Sequence, residues 1–356
     1  MTGELGRPGW AHARVFAVRL HRRFRGVDVR EGVLVSGPAG WGEFSPFWDY
    51  GRAASVRWLR AAREAAYDVW PAPRRSHIPV NATVPVVPAR EVAGILARFP
   101  GCTTVKVKVA DGGRTDPQTV AADLERLSAV RAALGPGGRV RIDINGGWSL
   151  DDALRLLPRY DRAAGGLEYV EQPCAEVDDL ARLRRRVEVP IAADESIRRA
   201  DDPLRVVRLE AADVAVLKVA PTGGVRAALR LAEQLGLPVV VSSALETSVG
   251  IGAGLALAAA LPELPYACGL GTVGLFTADV TDTPLVPVDG QIEVRRAAPS
   301  PGALDAVAAD EVRTAAWRAR VADVHDRALP SDESPPGTAG ATDAPVARAS
   351  RARASR

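Results

Sequence analysis

The sequence predicts an α/β chain: a (β/α)7-8 TIM-type barrel preceded by a smaller N-terminal α+β unit. From residue 78 onward, short β-rich runs alternate with helical segments, the mark of parallel βαβ units. Eight such runs are present, the number that closes a barrel of this kind. The chain also has 356 residues, of which 47% are hydrophobic, so it can bury a large core and is long for one compact domain.

The eight runs cover residues 79–85, 103–109, 139–145, 167–171, 189–194, 213–219, 237–243 and 266–270. Ahead of them, β-type segments at 15–20 and 32–36 precede the turn Gly37-Pro38-Ala39-Gly40. Residues 52–70 read as an amphipathic helix, with Val56, Leu59, Ala62, Ala66 and Val69 spaced by three or four. Thr115-Asp116-Pro117 offers a cap and a first-turn proline for a helix over 120–134, and Ser149 with Asp152 offers an approximate capping box. Pro221-Thr222-Gly223-Gly224 is a tight turn opening a helix over 225–235. Trp41, Trp48, Trp58 and Trp70 are expected in the core of the N-terminal unit. The expected division is 1–77 for that unit, with a contribution from about 285–329, then 78–284 for the barrel. The stretch 330–356 is Pro, Ala, Ser, Thr, Gly and Arg with little apolar surface, and is expected to be a disordered tail.

Composition removes several classes of function. The formal charge is +3, yet Lys and Arg are scattered among acids, which describes a solvated surface rather than a nucleic-acid footprint. Cys102, Cys174 and Cys268 are odd in number and lack C-x-x-C spacing, so neither a disulfide framework nor a zinc knuckle is expected, and a reducing cytoplasm fits. The opening MTGELGRPGW has no apolar stretch of signal-peptide type. The longest mostly apolar run, 249–261, has 13 positions including three glycines. A membrane-spanning helix needs about 20. No membrane partner is expected.

In a barrel of this kind, chemistry sits at the C-terminal ends of the strands. Those ends hold Lys106 and Lys108 on the second run, Asp143 and Asn145 on the third, Glu171 on the fourth, Asp194 and Glu195 on the fifth, Lys218 on the sixth, and Ser242 and Ser243 on the seventh. From Asp143 to Glu171, Asp194, Lys218 and Ser242 the steps are all between 23 and 28 residues, about one strand-plus-helix repeat. Matched height on successive strands predicts a ring converging on one mouth. Asp143, Glu171 and Asp194 form an all-oxygen set that suits a hard cation such as Mg²⁺, and the lack of thiolate or imidazole argues against zinc. Their structural alternative is ion pairing or helix capping, strongest for Asp194 and Glu195 beside Ser196.

Lys106 and Lys108 stand two apart on a strand, hence on one face and about 6.6 Å apart. Two ammonium groups on an inward face are costly unless anions or a function offset them, and burial with mutual repulsion is expected to lower both pKa values. A lysine so tuned can act as a base near neutral pH. Lys218 faces them across the mouth. Such a constellation suits removal of a proton beside a carboxylate while a metal neutralises the developing dianion. His12, His21, His77 and His325 fall away from the strand ends and are expected to be structural or surface residues.

With these residues in place, the chain resembles the muconate-lactonizing branch of the enolase superfamily. Lys106-Val107-Lys108, Asp143-Ile144-Asn145 with Trp148, Glu171-Gln172-Pro173, Asp194-Glu195-Ser196 and Lys218 match its motifs in order. The match covers roughly residues 12–325, and makes the N-terminal unit a capping domain. Within the branch, Arg23-Phe24-Arg25-Gly26, the segment 37–44 and Arg141 resemble the actinobacterial dehydratases of menaquinone biosynthesis.

The resemblance implies that Asp143, Glu171 and Asp194 bind Mg²⁺, or Mn²⁺ in its place. It implies that Lys108 takes the proton from 2-succinyl-6-hydroxy-2,4-cyclohexadiene-1-carboxylate and then helps the hydroxyl leave, giving 2-succinylbenzoate. Lys218 would stabilise the enediolate from the other ring face, and Lys106 would position the carboxylate and tune Lys108. Asn145, Ser242, Ser243 and Arg141 would line the pocket, while Glu195 stays outside the metal trio. Two other readings remain open at this stage: an N-acylamino acid racemase or dipeptide epimerase using the same lysines, and a ligand-binding scaffold without activity. Specificity is expected in the loops 23–26 and 44–51.

Overall fold

The computed structural model describes residues 13–328 of the chain, so the expected tail and His12 lie outside the described residues. Strands β1 (Arg14–Phe24), β2 (Val27–Gly37) and β3 (Gly40–Phe44) form an antiparallel sheet in that order. The β1–β2 hairpin turns on Arg25 and Gly26, both in the left-handed region with φ of 52° and 74°. Both strands extend beyond the apolar runs that signal them; the ladder runs from Arg14 opposite Leu34 to Arg19 opposite Val29, shifts register over residues 20–23, and resumes at Phe24 opposite Val27.

One face of this sheet is covered by helix α1 (Arg52–Tyr67), which buries Trp58, Leu59, Ala62 and Ala66. The helix ends before residue 70. Pro71 disfavours helical backbone at Trp70, and Asp68 is already extended. A C-terminal helix, Glu311–Ala328, returns to the same unit and seats Trp317 edge-on against Phe44 at 6.1 Å between ring centroids. Trp58 lies fully in this core. Trp48, expected there too, is instead 51% exposed: its indole N–H donates to Glu31 at 3.0 Å and its ring stacks on Trp317 and Arg320 at the rim.

The second unit is a parallel sheet of β5 (Ala82–Val84), β6 (Thr104–Lys108), β7 (Arg139–Asp143), β8 (Leu167–Glu171), β9 (Ile191–Ala193), β10 (Val214–Leu217) and β11 (Val239–Val241), neighbouring one another in chain order. A short antiparallel pair, β4 (His77–Pro79) with β12 (Gln291–Glu293), lies beside it. The eighth run does not form a ladder. Cys268 and Gly269 close the ring through isolated parallel bridges to Val80 and Ser242. Four backbone bonds make the closure: Asn81 N to Cys268 O at 3.0 Å, Cys268 N to Pro79 O at 2.7 Å, Gly269 N to Val241 O at 2.8 Å and Ser243 N to Gly269 O at 3.0 Å. The (β/α) barrel with its N-terminal α+β unit is therefore the architecture.

Strand alternation divides the side chains. Tyr169, Ala192, Val214, Val216 and Val240 fill the barrel interior, while Val105, Val107, Ile142, Val170, Leu217 and Val241 face the surrounding helices. Helix Pro117–Leu134 starts at Asp116, whose carboxylate accepts Thr119 N at 3.0 Å, and helix Leu150–Ala164 starts at Ser149, which accepts Asp152 N at 3.1 Å. The apolar run at 249–261 forms a core helix, Ser248–Ala260, buried on almost every side. No helix among the described residues is long and apolar enough to cross a membrane.

Gly42 on β3 lies against the Ala62 carbonyl of α1, where a Cβ would overlap backbone. Overpacking a dense interface costs about 1–3 kcal/mol. Gly42→Ala is expected to destabilise the fold by that amount, measured by denaturant unfolding, with the barrel mouth unaffected.

Candidate active site

The register of the barrel sets the site. Lys108 pairs with Asp143, and Asp143 pairs with Glu171, so three charged residues stand level on adjacent strands. Glu171 pairs with Ala192, which places Asp194 just above, and Lys218 follows the end of β10. These five charged side chains, with Lys106 as a sixth, point into the mouth and are buried. Lys106 Nζ donates to Asp143 Oδ2 at 3.2 Å and to both Glu171 oxygens at 3.0 and 2.9 Å. Lys108 Nζ donates to Asp143 Oδ2 in a short contact and to Asn145 Oδ1 at 2.6 Å. Lys218 Nζ donates to Asp194 Oδ2 at 2.6 Å.

Burial and charge move these groups in different directions. Burial opposes charge on Lys106, but Glu171 and Asp143 outweigh it and hold its pKa above the ordinary lysine value. The expectation of two lowered lysines therefore fails for Lys106, because that side chain sits between two carboxylates. Lys108 is lowered to about 8, by burial first and by Lys106 and Arg25, against the pull of Asp143. Lys218 is lowered by burial, with Asp194 opposing. Glu171 is raised to about 7, by burial and then by Asp143, with Asp194 adding to the repulsion.

The mutual repulsion of the three carboxylates is the observation that bears on a metal. All three are hard oxygen donors, balanced by Lys106, Lys108 and Lys218 and, at Asp194 Oδ1, by Arg198. The donor chemistry fits a hard divalent cation. Among the described residues no three His, Cys, Asp or Glu side chains stand arranged to hold a metal ion, and lysines contact an oxygen of each of the three carboxylates.

Side chains beyond the ring fix its geometry. Gln172, itself at φ 41°, accepts Asp194 N at 2.9 Å and Ser196 N at 3.1 Å through Oε1, and donates to Ser196 Oγ at 2.6 Å. Arg198 donates to Asp194 Oδ1 at 2.8 Å and makes short contacts to Tyr50 of the N-terminal unit and to Glu195. Asn145, at φ 53°, donates to Glu195 Oε1 at 3.1 Å while accepting from Lys108. Gln172 and Arg198 escape a reading of strand ends because their role is to hold other groups. The motif Glu171-Gln172-Pro173 was the available signal for the first; nothing local marks the second.

Ser242 and Ser243 line the innermost cavity with Thr83, Lys106, Asp143 and Lys218, beneath Phe24 and Arg25 of the β1–β2 hairpin. Ser243 Oγ lies 2.7 Å from Thr272 Oγ1. A wider cleft of about 790 Å³ opens beside it, bounded by Arg23, Phe24, Arg25, Ala110, Gly113 and Asn145, with Lys108 on its wall. Arg141 does not join this group. It lies one layer deeper, level with Lys106 on β6, fully buried between Tyr169 and Tyr266, donating to Glu168 at 2.5 Å and to the Ala267 carbonyl at 2.7 Å.

A barrel capped by an α+β unit, with carboxylates and lysines converging at the strand ends, defines an enolase-like enzyme. The family models agree: "Enolase N-terminal domain-like" matches residues 15–66 and "Enolase C-terminal domain-like" matches residues 89–303. Among solved structures, muconate lactonizing enzyme from Pseudomonas putida superposes with a TM-score of 0.65 at 21% identity, covering 86% of this chain and 98% of its own. N-succinyl Arg/Lys racemase from Bacillus cereus gives 0.67 at 19%, covering 84% and 97%; both likenesses speak to the fold.

Proteins named o-succinylbenzoate synthase from Thermobifida fusca and Mycolicibacterium smegmatis are 62% and 56% identical to the chain, each match covering 87% of it and 94% of the relative. The chain belongs to the o-succinylbenzoate synthase family of the enolase superfamily, and is accordingly a hydro-lyase. Members of the superfamily generally use a divalent metal.

Gln172→Ala would leave the buried backbone N–H groups of Asp194 and Ser196 without their acceptor. An unsatisfied buried donor costs about 1–3 kcal/mol. A loss of at least that size is expected in denaturant unfolding, together with weaker divalent-cation binding by calorimetry.

Proposed function

We propose that the chain catalyses the Mg²⁺-dependent loss of water from 2-succinyl-6-hydroxy-2,4-cyclohexadiene-1-carboxylate, giving 2-succinylbenzoate for menaquinone biosynthesis. The observation that carries this reading is Lys108: buried, held near pKa 8, and opening onto the cleft where a ring substrate has room. The names of the relatives at 53–62% identity support the same reaction.

Asp143, Glu171 and Asp194 would hold Mg²⁺, which when bound neutralises the charge that develops on the substrate carboxylate. Lys108 Nζ takes the proton from the ring carbon bearing the carboxylate, and the electron pair of that C–H bond passes into the carboxylate system. The same ammonium then delivers its proton to the departing hydroxyl as the C–O bond breaks, leaving water and an aromatic ring. Lys106, which keeps its proton between Asp143 and Glu171, supplies fixed positive charge below the base. Lys218 presents its charge from the opposite side, and Asn145, Ser242 and Ser243 line the pocket.

A racemase would need Lys108 and Lys218 to exchange roles as acid and base. The two are not equivalent here. Each is held by a carboxylate, Lys108 by Asp143 and Lys218 by Asp194, but Lys108 borders the wide cleft whereas Lys218 borders only the small inner cavity. One accessible base suits elimination.

Turnover followed by ultraviolet loss of the diene is expected to require Mg²⁺ and to stop with chelator. N-succinylamino acids are expected to keep their optical rotation, and racemisation without diene loss would overturn the reaction while keeping the site. Lys108→Ala should lower kcat by about 10²–10⁴-fold, the usual worth of a general base.

The sign of the pH dependence follows from the base. Below its pKa Lys108 already carries the proton and cannot accept another, so kcat/KM should rise with pH. A bound divalent cation adds like charge and lowers that pKa further, so the acid limb should lie at or below about 8.

A further inference from the structure

Behind the end of β6, outside the barrel interior, lies a buried polar cluster that the reaction chemistry does not use. Helix Pro117–Leu134 supplies Asp123 and Arg126, and helix Leu150–Ala164 supplies Tyr160; all three are at most 2% exposed. Arg126 Nη1 donates to Asp123 Oδ1 at 2.6 Å and to the Lys108 carbonyl at 3.1 Å, while its Nε donates to the Val87 carbonyl at 2.6 Å. Asp123 Oδ2 accepts the Ala110 N–H at 2.8 Å and the Tyr160 hydroxyl at 2.9 Å.

The cluster thus grips the main chain at Lys108 and again at Ala110. Ala110 is held with φ 52° and ψ 51°, a left-handed conformation that costs a non-glycine residue about 1 kcal/mol or more and needs outside support. Through Val87 the same guanidinium ties the loop after β5 to the end of β6, and the Tyr160 ring meets Trp148, which follows Asn145 in the next loop, at 5.2 Å and 79°. Val86, Lys108, Ala110 and Asn145 all border the wide cleft.

A fully buried ion pair is a weak device for stability, since well-packed apolar residues of similar volume often do as well or better. Its placement on the main chain at Val87, Lys108 and Ala110, around the end of β6, asks for another reason. We propose that Asp123, Arg126 and Tyr160 are positioning residues, which fix the backbone of β6 at Lys108 and so hold that lysine's side chain at the reacting carbon. This deepens the reading of Lys108 as the base and rests on it.

The test uses the full-length Mg²⁺-loaded enzyme and the ultraviolet assay. Arg126→Met, and the double variant Asp123→Leu/Arg126→Met, which leaves no charge unpaired, are compared with Tyr160→Phe and Lys108→Ala. A displacement of the base by about 1 Å costs on the order of 10²-fold. The double variant is expected to remain folded by circular dichroism and to bind Mg²⁺ as the parent does, with KM within about twofold and kcat lowered roughly 10–100-fold, the range set by that displacement. Deuterium at the abstracted position should slow the variant more than the parent, because proton transfer limits its rate. Arg126→Lys, which keeps one donor, should recover part of the loss.

A folded double variant with parental kcat and isotope effect would overturn the positioning role. If Lys108→Ala itself turned over normally, the base assignment would fall instead, so the two failures are told apart. Should Arg126→Met not fold, the decision rests on the double variant and on Tyr160→Phe, for which a smaller fall in kcat at unchanged KM is expected.

Discussion

Charge confined at the mouth of the barrel is the constraint on which the rest of the structure depends. Three carboxylates and three lysines are buried there in two hydrogen-bonded groups, Lys106 and Lys108 with Asp143 and Glu171, and Lys218 with Asp194. Ions taken out of water cost several kcal/mol each unless partners recover it. The register of β6, β7 and β8 recovers it by setting Lys108, Asp143 and Glu171 level on neighbouring strands. A slip of one residue would turn these side chains toward the helices and place Val107, Ile142 and Val170 inside.

The same confinement makes the lysines unlike one another. Lys106 lies between two carboxylates and stays charged, while Lys108 shares one carboxylate with Lys106 and is the easier of the two to deprotonate. A base and a fixed cation thus arise from one Lys-Val-Lys run. Glu171 pays for the arrangement through repulsion from Asp143 and Asp194, and a divalent ion among the three would relieve it.

Support for this ring comes from layers around it. Gln172 and Arg198 fix Asp194 from the strand end and from the following helix. The capping unit reaches in through Phe24 and Arg25 and through Tyr50, so the site is completed by residues from both units. Barrel closure through Cys268 and Gly269 relies on single bridges rather than a ladder, and it brings Ser242 and Ser243 to the rim beside Lys218.

Much of this was legible in the residues alone. The alternation of β-rich and helical runs specifies a barrel, and the repeat spacing of Asp143, Glu171, Asp194 and Lys218 specifies convergence, because side-chain direction and strand period are local properties of the chain. The helix starts at Asp116 and Ser149 were legible for the same reason. What only the tertiary structure decided were quantities set by neighbours distant in sequence. The raised pKa of Lys106, the burial of Arg141 between two tyrosines below the mouth, the exposed seat of Trp48 and the grip of Arg126 on the Lys108 carbonyl depend on which strand or helix lies alongside. No local pattern encodes that, since desolvation and pairing belong to the assembled fold rather than to any one segment.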